Sequence, residues 1–127
     1  MKTILVDALN TFVDKENGIF REMHSLLDSY PNKKIVVTNA NSSEMELFGL
    51  QHLPYEVFSM NHEPNKTDPL YFKTLLEKFK LSADQVIYFE HNPEAVQSAE
   101  SSQIKSYHYD KDSKDLTALK AFIDANL

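Results

Sequence analysis

The stretch Ile4-Leu5-Val6-Asp7-Ala8-Leu9-Asn10-Thr11 decides how this chain is read. A short apolar run rich in β-branched residues reads as a buried strand, and Asp7 closes it. Working outward, the same figure recurs. Ile35-Val36-Val37 runs into Thr38-Asn39, and Val86-Ile87-Tyr88-Phe89 runs into Glu90-His91-Asn92. Lys66 stands alone in the loop beyond Val57-Phe58. Continuous apolar runs suit parallel strands covered on both faces. In an open parallel sheet the ligand crevice lies at the strand carboxyl ends, where these polar groups fall. The placement points to a site for an anionic group, with phosphate the best fit.

Helical patterns alternate with the strands. Thr11 to Gly18 reads as a turn or flap. Phe20, Met23, Leu27 and Tyr30 then recur at helical spacing. A short helix is expected from Ser43 to Phe48, capped by Ser42 or Ser43 and stopped by Gly49. Thr67-Asp68-Pro69 opens the clearest helix, with Thr67 as the capping residue and an acid and a proline in the first turn, and its inner face carries Phe72, Leu75, Leu76 and Phe79. Pro93 starts another, Ile104 to Tyr109 reads as a fifth strand, and Lys114 to Ala125 as the last helix. Five strands with intervening helices imply right-handed crossovers and a three-layer α/β/α sandwich on a five-stranded parallel sheet. The gaps between motifs are short, so residues 1–127 are expected to form a single domain.

Composition narrows the function classes. A net charge of −6 argues against a general nucleic-acid or anionic-membrane surface. The absence of cysteine rules out disulfides, thiolate zinc sites and cysteine nucleophiles. No apolar run approaches a membrane span, and Met1-Lys2-Thr3 shows no signal-peptide pattern, so a cytoplasmic setting is expected. Phe12 and Val13, two apolar residues in a polar segment, are, where exposed, the first choice for a self-association surface and hence for a homo-oligomer.

The candidate chemistry is phosphoryl transfer, which needs mainly positioning and electrostatic stabilisation. Asp7 supplies a carboxylate able to act as nucleophile, Thr38 a hydroxyl and Lys66 a cation. Glu90 offers a second carboxylate for a hard, oxygen-seeking metal. Glu90-His91-Asn92-Pro93 also reads as a turn that caps the next helix. His24, His52, His62 and His108 lack metal-ligand spacing and read as structural or solvated.

These residues resemble the haloacid dehalogenase superfamily from Ile4 to about Tyr109. Ile-Leu-Val-Asp7-Ala-Leu9-Asn-Thr11 looks like its first motif, an apolar strand followed by Asp-x-Asp-x-Thr. Ile-Val-Val-Thr38-Asn39 looks like the second, and Lys66-Thr-Asp-Pro69 is similar to the third-motif lysine at a helix start. Val-Ile-Tyr-Phe-Glu90-His91-Asn92-Pro93-Glu94-Ala-Val96 looks like the fourth. The resemblance implies a sheet in the order 5-4-1-2-3 and a member without a cap domain. It further implies Asp7 as nucleophile, and Thr38, Asn39 and Lys66 as holders of the phosphoryl group. Mg²⁺ would be bound by Asp7, the Leu9 backbone carbonyl and a fourth-motif acid, Glu90 or the position of His91. The partner would be a phosphorylated small molecule or macromolecule.

Two positions depart from that pattern. Leu9 stands where the family's phosphatases carry a general acid/base aspartate, an effect worth roughly 10²–10⁴-fold. His91 stands where the principal Mg²⁺ carboxylate is expected, and imidazole is a poor partner for Mg²⁺. Two readings follow: a weak metal-assisted phosphohydrolase or phosphotransferase, or a catalytically degenerate module that binds phosphate or a protein partner. A metal-free dehalogenase would need a cap to enclose a small haloacid. A response-regulator receiver would need a phospho-accepting aspartate where Met60-Asn61 stands.

Overall fold

A computed structural model describes residues 1–127. The elements in chain order are β1 (Thr3–Asp7), β2 (Val13–Asp14), β3 (Gly18–Ile19), α1 (Arg21–Asp28), β4 (Lys34–Thr38), α2 (Ser42–Leu47), β5 (Glu56–Ser59), α3 (Pro69–Phe79), β6 (Val86–Glu90), α4 (Pro93–Ser101), β7 (Lys105–His108) and α5 (Leu116–Asn126). A 3₁₀ turn at Ala83–Gln85 leads into β6. The main sheet is parallel, in the spatial order β5-β4-β1-β6-β7. With its five strands counted along the chain and the β2–β3 hairpin set aside, that order read from the β7 edge is 5-4-1-2-3. The fold class expected from the strand and helix alternation is the one observed.

Side chains on a strand alternate between faces, and the sheet divides its core accordingly. Ile4, Val6, Val36, Ile87 and Phe89 pack with Met23 and Leu27 of α1 and Leu119 and Ile123 of α5. Leu5, Ile35, Val37 and Tyr88 pack with Tyr71, Phe72 and Leu75 of α3 and Ala99 of α4. Three central strands, β1, β4 and β6, are buried along their full length. By this parity Asp7 follows Leu5 and Glu90 follows Tyr88. Both carboxylates therefore leave the sheet on the side of α3 and α4.

Several local expectations are corrected. Phe12 and Val13 are not a self-association surface, because both are buried. The backbone after β1 doubles back, with the Phe12 and Val13 amides donating to the Ala8 carbonyl at 2.9 Å each. Phe12 is thereby delivered into an aromatic group with His24 and Tyr55. The supposed flap is a short antiparallel hairpin, β2–β3. Asp14 Oδ1 receives the Glu16 and Asn17 amides in its turn, and Gly18 closes it at a φ of 78° that favours glycine.

Two helix caps differ as well. Asn41, not Ser42 or Ser43, caps α2, in a reciprocal box with Glu44. Asp68, not Thr67, caps α3, with Pro69 in the first turn. On the inner face of α3, Tyr71 joins Phe72 and Leu75 in full burial, while Leu76 and Phe79 are partly buried.

Candidate functional site

Asp7, Thr38 and Glu90 close β1, β4 and β6, and the loop before α3 brings Lys66 over them. All four side chains line one cavity of about 330 Å³ together with Leu9, Asn39 and His91. The structure thus gathers every candidate site residue read from the sequence.

Lys66 is the centre of the arrangement. Its ammonium donates to Asp7 Oδ1 at 2.6 Å and to Glu90 Oε1 at 2.7 Å. Its side chain is only 8% exposed, against 1% for Asp7 and 0% for Glu90. Burial alone would lower the lysine pKa, but the two carboxylates override it and hold it up at about 12. The Asn39 carboxamide oxygen accepts the Lys66 backbone amide at 2.7 Å and so fixes where that side chain begins. Asn39 therefore positions the lysine as well as lining the cavity.

Asp7 has both oxygens engaged. Oδ2 receives the Thr11 hydroxyl at 2.6 Å, the His91 ring Nδ1 at 2.5 Å and the His91 amide at 3.3 Å. The turn that buries Phe12 is what brings Thr11 back onto the strand end. Burial pushes the Asp7 carboxyl upward, yet the Lys66 charge and the His91 hydrogen bond hold it far below the usual carboxylate range. His91 responds in turn. Its hydrogen bonds to Asp7 and Glu90 raise its pKa to about 9.

Glu90 also accepts from the Tyr88 hydroxyl and from the Asn92 amide. Asn92 caps α4 through the Glu94 amide, so the turn serves the helix and the site together. Thr38 Oγ1 accepts the Ala40 amide at 3.2 Å, which leaves its proton free to donate to a ligand. Tyr71, buried beneath, bonds the Thr38 amide and carbonyl and the Phe58 carbonyl through its hydroxyl, tying the ends of β4 and β5.

Two rim residues, His62 and Lys15, were not legible as site residues. His62, read as structural or solvated, lines the cavity mouth, its ring held between Glu44 and Asn65. Lys15, at the hairpin tip, reaches across to sit over the Phe48 ring. Nothing local in the sequence joins Lys15 to Phe48 or His62 to Glu44, since each pair meets only through the fold.

Asp7, Glu90 and His91 each offer one ligand atom, all within 4.8 Å of one another. As a Mg²⁺ site the set fits poorly. Mg²⁺ demands near-octahedral oxygen ligation, and here a ring nitrogen stands between the carboxylates while both Asp7 oxygens already accept hydrogen bonds.

With this geometry in hand, solved structures supply the comparison. The core domain of a putative phosphoglycolate phosphatase from Streptococcus pneumoniae superposes with a TM-score of 0.60 at 19% identity, over 86% of this chain and 80% of that one. A haloacid dehalogenase-like protein of unknown function from Agrobacterium tumefaciens gives 0.59 at 17%, over 84% of this chain and 61% of that one. This chain has the haloacid dehalogenase-like fold. A third protein of this fold, a family enzyme from Bacteroides thetaiotaomicron, was solved as an aspartate-to-alanine mutant with magnesium and inorganic phosphate. It gives 0.56 at 14%, over 72% of this chain and 53% of that one. At such identities the haloacid dehalogenase likeness is one of fold. No family model matches the sequence, and no curated protein does. No helix is long and apolar enough to cross a membrane.

Proposed function

We propose that the cavity over Asp7 binds the phosphoryl group of a phosphorylated small molecule or macromolecule, and that Asp7 accepts that group in a slow hydrolase reaction. One observation carries the reading: a buried lysine bridges two strand-end carboxylates in an open cavity that also presents the Thr38 hydroxyl. Lys66 spends two of its three protons on the carboxylates, leaving one for a phosphoryl oxygen. In the transfer, an Asp7 oxygen bonds to phosphorus as the ester oxygen–phosphorus bond breaks. The departing oxygen takes its proton from water, because Leu9 offers none. Water then hydrolyses the aspartyl phosphate, releasing inorganic phosphate and restoring Asp7. The missing acid slows the cycle by roughly 10²–10⁴-fold. The domain works without a cap, the hairpin and α2 forming the mouth.

The test is hydrolysis of an aryl phosphate and a set of phosphorylated metabolites, with mass spectrometry of the peptide that carries Asp7. Slow turnover with a phospho-adduct at Asp7, both absent in Asp7→Asn, is the expected result. A second reading, a silent phosphate- or partner-binding module, is favoured by the 1% exposure of Asp7 and its fully engaged oxygens. Phosphate binding with no Asp7-dependent turnover would select it.

A further inference from the structure

The donor set at the strand ends disagrees with a magnesium site, and the disagreement has a positive content. The His91 ring stands where a cation shared by the two carboxylates would stand. Its Nδ1 is 2.5 Å from Asp7 Oδ2 and 3.2 Å from Glu90 Oε2. A metal bound to Asp7 Oδ2 at about 2.0–2.1 Å would have to displace this ring, and the Thr11 hydroxyl beside it. The displacement would sacrifice donors that are already built in. Meanwhile Nε2 of the same ring is used by none of its protein contacts, and the ring lines the cavity.

We propose that this site takes its anionic ligand without a divalent metal, the His91 ring standing between Asp7 and Glu90 in the cation's place and offering Nε2 to the ligand. Phosphate oxygens then meet three donors from the chain itself: the Lys66 ammonium, the Thr38 hydroxyl and the His91 ring. The ligand class, a phosphate monoester or inorganic phosphate, rests on the phosphoryl reading above; the exclusion of the metal does not.

The test therefore has two arms on the whole chain. In the first, Mg²⁺ and then Mn²⁺ are titrated into ligand-free protein, followed by calorimetry and by amide resonances near residues 7 and 90. No saturable binding is expected up to about 10 mM, whereas His91→Asp, which supplies an oxygen ligand, gains at least ~10-fold in Mn²⁺ affinity. Saturable sub-millimolar binding by the unmodified chain at those resonances would overturn the proposal. Should the variant not fold, the unmodified chain decides this arm alone.

In the second arm, inorganic phosphate affinity is compared in chelator and in Mg²⁺. A ratio within about twofold is expected, because a metal that does not bind shifts no equilibrium. A tenfold or greater loss in chelator would overturn it. Phosphate binding in neither condition would refute the phosphoryl reading, and the cation titration would still decide whether the site is metal-free.

Discussion

Replacing Lys66 with methionine keeps most of the side chain's length and removes the one ammonium that touches both Asp7 and Glu90. What remains is a pair of carboxylates, 1% and 0% exposed, with the His91 ring as their one cationic partner in place of two. Breaking a buried ion pair from one side costs about 3–5 kcal/mol, mostly the burden of the charge left behind. For a chain of this size that corresponds to a fall in Tm of roughly 10–20 °C. The measurement is urea unfolding of Lys66→Met, Asp7→Asn and the double variant, completing a double-mutant cycle. Adding Asp7→Asn to Lys66→Met is expected to recover about 1–2 kcal/mol, since it removes one of the stranded charges. The Asp7 carboxyl in Lys66→Met should also titrate at higher pH, because burial then acts against less opposition. A midpoint shift worth under about 1 kcal/mol, or a double variant no better than Lys66→Met, would refute the reasoning.

Three further outcomes are expected. His91 has a folded pKa of about 9 against an ordinary 6.5, so its contribution is fully present below pH 6.5 and is lost as pH rises through 9. The gap corresponds to about 3–4 kcal/mol at full strength and roughly 2–3 kcal/mol once solvent screening of the part-exposed ring is allowed for. The stability difference between the unmodified chain and His91→Asn should shrink by that screened amount from pH 6 to pH 10; a flat difference would contradict it. Leu9→Asp restores an acid at the cavity wall and is expected to raise aryl phosphate turnover by about 10²-fold, whereas unchanged kinetics would show that proton supply is not what slows the reaction. Tyr71→Phe removes the hydroxyl that ties β4 to β5 and should cost about 1–2 kcal/mol in urea unfolding, with no change if that hydroxyl is idle.

The fold was legible because buried parallel strands write themselves as uninterrupted apolar runs, and because the polar residues that end them are few. Asp7, Thr38, Lys66 and Glu90 could be placed together before any contact was seen, since strand ends of one parallel sheet meet at one edge. Failures occurred where identity underdetermines direction. Phe12 and Val13 sit among polar residues, and only the back-folded turn after Ala8 sends them inward. Asn41, Ser42 and Ser43 are all capable caps, and the backbone path picks the first. Tyr71 and Tyr88 count as aromatic bulk in a helix or strand pattern, so the use of their hydroxyls on Thr38 and Glu90 is invisible until the strands are aligned.

Asp7 receives hydrogen bonds from a lysine, a threonine and a histidine that belong to three separate segments of the chain. Its carboxylate is thus a fastening, whatever chemistry it performs. A chain with no turnover at all would still lose folding stability on changing it. The strand-end aspartate is therefore kept by folding whether or not it reacts, and a chain of this fold could hold the residue without holding an activity.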